Sequence, residues 1–122
     1  MKILVVDDMP LMRHVLINML RRLDYIDIVE ATDGLQALNI LQNQMFDLVI
    51  TDLHMPKMDG ITLLDNIRKD AELKNLPVLM VTCEDSSSTV KKAINAKVSG
   101  FIVKPFNMHV LSAKLTRLSI KA

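Results

Sequence analysis

Acidic side chains follow two apolar runs of the sequence, and carboxylates are groups that can hold a metal ion or accept a chemical group. Asp7 and Asp8 come directly after the run Ile3–Val6, and Asp52 follows the run Leu48–Thr51. Three carboxylates brought together repel one another, which raises the pKa of some of them unless a cation neutralises the charge. An all-oxygen site with few protein ligands suits Mg²⁺. The pattern predicts a magnesium site whose ion could also neutralise an incoming phosphoryl group.

Two further polar residues end apolar runs. Thr82 ends the run Val78–Thr82, and Lys104 follows Phe101–Val103 and precedes Pro105, which constrains the turn. A positioned ammonium group would bind an aspartate or an acyl-phosphate oxygen, and a threonine hydroxyl could donate to a phosphoryl oxygen. Taken singly, each residue has a plainer reading: a solvated acidic pair capping a helix, a strand threonine and a surface lysine. Their shared placement at the ends of apolar runs favours one common site.

The elements that must position these residues form a regular alternation. Five apolar runs alternate with five amphipathic segments, which predicts parallel strands joined by right-handed helical crossovers, with helices on both faces. Four runs are continuously apolar, as in a sheet covered on both sides. The run Ile26–Ala31 is interrupted by acids, which is typical of an edge strand. The predicted fold is α/β, a doubly wound five-stranded parallel sheet. In such a sheet, ligands bind beyond the carboxyl ends of the strands.

The five intervening segments carry apolar residues at helical spacing. Pro10 stands where a proline in the first helical turn is tolerated. The fourth segment has the weakest apolar face. The residues predicted to form the inward stripes are, segment by segment, Leu11, Met12, Val15, Leu16, Met19, Leu20 and Leu23; Leu35, Leu38, Leu41 and Met45; Ile61, Leu64 and Ile67; Val90, Ala93 and Ile94; and Met108, Leu111, Leu115 and Leu118.

Length and composition limit the classes of protein that fit. The 122 residues suffice for one domain, expected to span residues 1–122, and half of them are hydrophobic. The net charge is +1 with both signs mixed along the chain, so nothing indicates a nucleic acid or a membrane surface as partner. No apolar stretch approaches the roughly 20 residues of a membrane span. A cytoplasmic protein is expected, and the single cysteine, Cys83, is expected to be a small buried hydrophobe.

The motifs together resemble those of a known family. From end to end the chain resembles the receiver domain of two-component response regulators, with the closest likeness to the stand-alone chemotaxis regulators. The segments that carry the likeness are Val5-Val6-Asp7-Asp8, Asp52-Leu53-His54-Met55-Pro56-Lys57-Met58-Asp59-Gly60, Val81-Thr82 and Lys104-Pro105-Phe106. The resemblance implies the strand order 2-1-3-4-5 and with it the flavodoxin-like (β/α)5 fold. It further implies a phosphorylation switch.

The resemblance assigns a role to each residue of the predicted site. Asp52 would be the phospho-acceptor that attacks the phosphohistidine of a histidine kinase. Asp8 would ligate Mg²⁺ directly, Asp7 mainly through water, and His54 through its backbone carbonyl. Lys104 would bind the phosphoryl oxygens, and its bond to the following proline would be cis. The chain would catalyse only its own phosphorylation and dephosphorylation and would not be an enzyme in the ordinary sense.

The resemblance also implies how the signal spreads. Thr82 would shift inward to bind the phosphoryl group, and Phe101 would rotate from exposed towards buried. The face formed by the fourth helix, fifth strand and fifth helix would then bind a partner. His54 and Glu84 stand where the family tunes the rate of phosphate hydrolysis. Phe101 stands where chemotaxis relatives often have tyrosine, so a phenolic contact is absent.

The partner is expected to be a protein, because the sequence offers no DNA-binding domain. The stretches Asn75–Thr82 and Lys104–Phe106 look most like the chemotaxis regulators that bind a flagellar motor switch protein. A monomer is expected. A phosphorelay intermediate, or a receiver domain detached from a larger regulator, would show the same pattern and remains open.

Other classes of function fit the residues less well. An aspartate-nucleophile phosphatase would carry its second acid two residues after the first, whereas Asp7 and Asp8 are adjacent. A flavodoxin-like mononucleotide-binding protein would need a phosphate loop after the first strand, where these acids would repel phosphate; titration with FMN would test it. No P-loop motif is present. A receiver that docks without being phosphorylated is disfavoured by the complete acidic set, Thr82 and Lys104.

Overall fold

Strands and helices alternate along the whole chain, as the sequence predicts. A computed structural model describes residues 1–121. The strands are β1 (Lys2–Val6), β2 (Asp27–Ala31), β3 (Leu48–Thr51), β4 (Val78–Thr82) and β5 (Gly100–Val103). The helices are α1 (Pro10–Arg22), α2 (Gly34–Asn43), α3 (Gly60–Lys69), α4 (Ser87–Asn95) and α5 (Met108–Arg117).

The five strands form one parallel sheet in the order β2-β1-β3-β4-β5. The predicted order is confirmed, and the strand interrupted by acids lies at an edge. Val6, the last residue of β1, pairs with Ala31 of β2 and with Thr51 of β3. The residues that follow these strands therefore emerge side by side at one end of the sheet.

Each face of the sheet packs against its own set of helices. Alternate residues of β1 show the division, because Ile3 and Val5 contribute to one apolar cluster and Leu4 and Val6 to the other. The first cluster includes the inward residues of α1 and α5, and the second includes those of α2 and α3. Helix α4 buries only Thr89 and Ala93, in agreement with its weak predicted stripe. The core therefore lies in two layers, and the carboxyl edge of the sheet stays free for a site.

Local capping fixes where most of the helices begin. The side chains of Asp33, Asp59, Ser86 and Asn107 each accept a hydrogen bond from a backbone N–H in the first turn of the following helix. Helix α1 has no such cap, and Pro10 occupies its first turn. The predicted position of this proline is confirmed.

Several residues assigned to inward stripes face solvent instead. Leu11 is 73% exposed, whereas Ile17, which was outside the predicted stripe, is 5% exposed. At 100° per residue, Leu11 points about 140° away from Leu16, so the predicted stripe of α1 was too wide. Val15, Leu35 and Ile94, which were also assigned to inward stripes, are exposed as well. Met45 is 92% exposed because it lies beyond the end of α2.

Cys83 is exposed, so its predicted burial was wrong. It follows the last residue of β4, and the chain bends away from the sheet at that point.

No helix among residues 1–121 is long and apolar enough to cross a bilayer.

Candidate functional site

The carboxyl ends of β1 and β3 place the two main acidic segments next to each other. The backbone N–H of Asp52 donates to the carbonyl of Val6 at 2.9 Å, and that of Asp7 donates to the carbonyl of Ala31 at 3.1 Å. The ladder therefore continues one residue beyond each strand. Asp7 and Asp52 leave the sheet from neighbouring positions, as the sequence predicts.

Three carboxylates meet at this edge. One carboxylate oxygen from each of Asp7, Asp8 and Asp52 lies within 4.8 Å of the other two. The side chains of Asp7 and Asp52 are only 7% and 12% exposed, while Asp8 is exposed. The cluster thus has two carboxylates largely removed from water and one at the surface. Such an arrangement is a candidate site for a metal ion.

Lys104 supplies the positive charge that faces this cluster. Its Nζ lies 3.3 Å from Asp7 Oδ2 and 3.5 Å from Asp52 Oδ2, and its side chain is 14% exposed. The backbone N–H of Lys104 donates to the carbonyl of Thr82 at 2.9 Å, which fixes the residue just beyond β5. The bond from Lys104 to Pro105 is cis, as predicted. One ammonium group therefore opposes three carboxylates.

Burial and the neighbouring charges shift the pKa of the Asp52 carboxyl group. Burial raises the pKa of Asp52 above its usual value, the nearby charge of Lys104 works in the opposite direction, and the negative charge of Asp7 raises it again. The backbone N–H of Leu53 donates to Asp52 Oδ1 at 2.7 Å and favours the ionised form. The cluster sets the formal charge of three carboxylates against that of one ammonium group. An all-oxygen set short of positive charge fits a hard divalent cation such as Mg²⁺.

Gly60 holds the backbone around Asp52 in place. Its N–H donates to the carbonyl of Leu53 at 2.7 Å. A Cβ atom added to Gly60 would lie 2.3 Å from the carbonyl oxygen of Asp52, a distance that would force the backbone to move. This position requires glycine because the start of α3 packs directly on the chain that carries Asp52.

Thr82 and Phe101, the two predicted switch residues, lie on the neighbouring strands β4 and β5. Thr82 is fully buried, and its Oγ1 accepts a hydrogen bond from the backbone N–H of Glu84 at 3.3 Å. Within residues 1–121, no hydrogen bond joins Thr82 to Asp52. Phe101 is half-buried against the apolar cluster that includes α3. Movement of either side chain stays a prediction.

His54 and Glu84 form a pair at the rim of the site. His54 Nε2 contacts Glu84 Oε2, and Glu84 Oε1 accepts a hydrogen bond from the hydroxyl of Thr89 in α4 at 2.7 Å. The hydrogen bonds from Thr89 and His54 lower the pKa of Glu84. The two residues predicted to tune hydrolysis therefore join the loop after β3 to the start of α4.

Sequence reasoning missed three residues that support the site: Gly60, Thr89 and Arg13. The Asp59-Gly60 pair was noted only as part of the motif, although glycine at the start of a helix can indicate a close backbone approach. Thr89 contacts Glu84, five residues earlier, and Arg13 contacts Asp7, six residues earlier, so each side chain reaches from a helix back to the loop before it. Arg13 Nη1 donates to the backbone carbonyl of Asp7 at 2.8 Å. No local pattern indicates such a contact.

Comparison with known proteins gives the family. The profile of the response regulator receiver domain matches residues 3–116. The chain belongs to the response regulator receiver domain family. The chemotaxis protein CheY-3 of Vibrio cholerae is 50% identical over 118 residues, which make up 97% of this chain and 91% of that protein. The chemotaxis protein CheY of Pseudomonas aeruginosa is 46% identical over 118 residues, covering 97% of this chain and 95% of that protein. The chain is therefore a receiver domain of the CheY-like chemotaxis kind.

Solved receiver structures share the fold. The chemotaxis response regulator CheY4 of Vibrio cholerae superposes with a TM-score of 0.88 at 33% identity, covering 96% of this chain and 97% of that one. The receiver domain of the sensor histidine kinase PA1611 of Pseudomonas aeruginosa, solved with a magnesium ion coordinated in its active site cleft, gives a TM-score of 0.87 at 27% identity. The second superposition covers 96% of this chain and 95% of the PA1611 chain. The predicted doubly wound fold is confirmed.

Proposed function

We propose that this receiver domain accepts a phosphoryl group on Asp52 from a histidine kinase and then binds a target protein through the face formed by α4, β5 and α5. The observation that carries the proposal is the meeting of Asp7, Asp8 and Asp52 within 4.8 Å, with the ammonium group of Lys104 against two of them. Proteins of the CheY-like receiver kind take phosphate from histidine kinases and act on other proteins.

The transfer itself needs one new bond and one broken bond. A carboxylate oxygen of Asp52 attacks the phosphorus of the kinase phosphohistidine, the P–N bond breaks, and the imidazole leaves with the electron pair and gains a proton. In phosphoryl transfer the protein contributes mainly by aligning the reacting groups and stabilising the charge on the phosphoryl oxygens. Lys104 would bind a phosphoryl oxygen, and Thr82 would donate a hydrogen bond to another after moving inward. The raised pKa of Asp52 reflects the same burial that excludes water from its carboxylate.

Mg²⁺ is the cation that the donor set fits best. Asp8 and Asp52 would ligate it through carboxylate oxygens, Asp7 mainly through water, and His54 through its backbone carbonyl. When bound, it would supply the positive charge that offsets the phosphoryl oxygens. The magnesium reported in the active site cleft of the PA1611 receiver domain supports this choice. The chain would act as a signalling protein that catalyses only its own phosphorylation and dephosphorylation.

The output surface would be apolar with a polar rim. A groove of about 360 Å³ lies between β5 and α5, and Phe101, Val103, Phe106 and Val110 line it. Val103 and Val110 are 39% and 37% exposed. Exposed apolar side chains beside a groove are typical of a protein-binding surface. Two relatives are named chemotaxis proteins. From the family resemblance we take a flagellar motor switch component as the target, bound in the cytoplasm by a monomeric receiver.

Incubation with Mg²⁺ and acetyl phosphate tests the proposed function. Intact-mass spectrometry should show the addition of one phosphoryl group to the wild type and none to the Asp52→Asn variant. Asp65→Asn is a matched control, because Asp65 is an exposed residue of α3 whose one ion pair within residues 1–121 is with Lys69. Equal labelling of wild type and Asp52→Asn would refute the assignment.

A further inference from the structure

Arg13 ties three elements together beneath the acidic cluster. It lies in α1, its Nε donates to Glu30 Oε1 in the edge strand β2 at 2.7 Å, and its Nη1 donates to the backbone carbonyl of Asp7 at 2.8 Å. The Arg13 side chain is only 12% exposed, whereas that of Glu30 is 44% exposed. A guanidinium group can hold two acceptors at fixed angles because its donors form a rigid planar fork.

The carbonyl that Arg13 binds belongs to the peptide group between Asp7 and Asp8. The orientation of this peptide sets the directions in which both side chains leave the backbone. The Asp7 carboxylate is held further by the backbone N–H of Met9, which donates to its Oδ1 at 2.9 Å. The geometry points to a role for Arg13 as a positioning residue of the divalent-cation site. This inference rests on the proposed function, since it requires that the acidic cluster bind Mg²⁺.

The positive charge of Arg13, taken alone, should change the Mg²⁺ affinity in the opposite direction from a positioning role. The direction of the change therefore tests the inference. A guanidinium group held against the Asp7 carbonyl repels a cation arriving at the neighbouring acidic cluster. If only its charge mattered, removing it should therefore tighten Mg²⁺ binding. If Arg13 orients the Asp7–Asp8 peptide, its removal should weaken Mg²⁺ binding despite the lost repulsion. Outer-shell partners of metal ligands typically contribute roughly 10- to 100-fold to metal affinity.

Calorimetric titration of the full chain with MgCl₂ at 25 °C distinguishes the positioning role of Arg13 from the effect of its charge alone. For Arg13→Gln we expect an affinity roughly 10-fold below that of the wild type. For Arg13→Lys, which keeps the charge but cannot reach both acceptors with a planar fork, we also expect weaker binding. Arg21→Gln is the matched control, because Arg21 is exposed on the same helix and its side chain makes no hydrogen bond or ion pair among the described residues. Its affinity should equal that of the wild type.

Each of the following outcomes either supports or overturns the positioning role of Arg13. Weaker binding in both Arg13 variants, with an unchanged control, supports the inference. Tighter or unchanged binding in Arg13→Gln overturns it while leaving the proposed function intact. If Arg13→Gln does not fold, Arg13→Lys decides alone, and wild-type affinity in that variant overturns the inference. Absence of Mg²⁺ binding by the wild type would overturn both the inference and the proposed metal site.

Discussion

The Nζ atom of Lys104 lies 3.5 Å from Oδ2 of Asp52, although the two residues are 52 positions apart in the sequence. The same ammonium group lies 3.3 Å from the carboxylate of Asp7. Lys104 therefore bridges two largely buried acids, and a phosphoryl group on Asp52 would present the lysine with oxygens in the same place. Both the charge balance of the unmodified protein and its proposed chemistry depend on this one side chain.

Replacement of Lys104 by methionine should destabilise the metal-free protein at neutral pH. The two buried carboxylates would lose their cation, and an uncompensated charge in such a setting costs on the order of 1–3 kcal/mol of unfolding free energy. Urea denaturation at pH 7 measures the change. Lys92→Met, at an exposed position of α4, is the control and should leave the unfolding free energy nearly unchanged. Equal stability of the two variants would contradict the bridging role.

Replacement of Asp52 by asparagine should stabilise the metal-free protein, and the gain should grow as pH rises. The pKa of Asp52 is raised in the folded state, mainly by burial. Over the interval from the unfolded-state pKa of about 3.9 up to the raised folded-state value, the folded protein binds more protons. Its stability therefore falls with rising pH in that window, by about 1.4 kcal/mol for each pH unit that separates the folded-state pKa from the unfolded-state pKa.

Urea denaturation of wild type and Asp52→Asn from pH 4 to pH 8 measures this dependence. The difference in unfolding free energy should increase through the window and then level off. Asp65→Asn should show no comparable trend, because Asp65 is exposed on α3. A constant difference across the whole pH range would show that burial does not perturb Asp52.

Mg²⁺ should raise the melting temperature of the wild type. A ligand that binds only the folded state stabilises it by about 2.7 kcal/mol when present at 100 times its dissociation constant, which corresponds to a rise of several degrees for a domain of this size. Asp8→Ala should abolish the rise without disturbing the core, since Asp8 is exposed. Asp27→Ala, an exposed acid of β2, should keep it. A full rise in melting temperature with Asp8→Ala would place the metal elsewhere.

Removal of the Glu84 carboxylate should change the lifetime of the phosphorylated state. Glu84 contacts His54 on one side and accepts a hydrogen bond from Thr89 on the other. We expect Glu84→Ala to free the His54 ring and the start of α4, which opens a path for water to Asp52 and speeds hydrolysis. Decay of the phosphorylated protein after removal of acetyl phosphate measures the rate. Exchange of the α4 amide hydrogens should accelerate in the same variant, and unchanged decay and exchange would contradict this role.

The sequence predicted those parts of the molecule that depend on local pattern. Apolar runs ended by Asp7, Asp52, Thr82 and Lys104 were enough to place these residues at one edge of the sheet, because parallel strands share a direction. The order of the strands came from the family resemblance, since periodicity does not say which strands are neighbours.

Features that depend on tertiary contacts were not predicted. Arg13 in α1 bonds to Asp7, just after β1, and to Glu30 in β2. No spacing in the sequence predicts these contacts. Cys83 was expected in the core because cysteine is usually buried, yet it faces solvent where the chain turns after β4. The exposure of Leu11 follows from helix geometry only after the structure shows which residues of α1 lie at the centre of its buried face.

Chemical trapping of the acyl phosphate tests the central claim most directly. Borohydride reduces an aspartyl phosphate to homoserine and leaves free aspartates unchanged. After incubation with Mg²⁺ and acetyl phosphate, reduction and peptide mass spectrometry should find homoserine at position 52 and aspartate at positions 7 and 8. Homoserine at another position, or at none in protein that carries phosphate, would contradict the assignment of Asp52 as the phospho-acceptor.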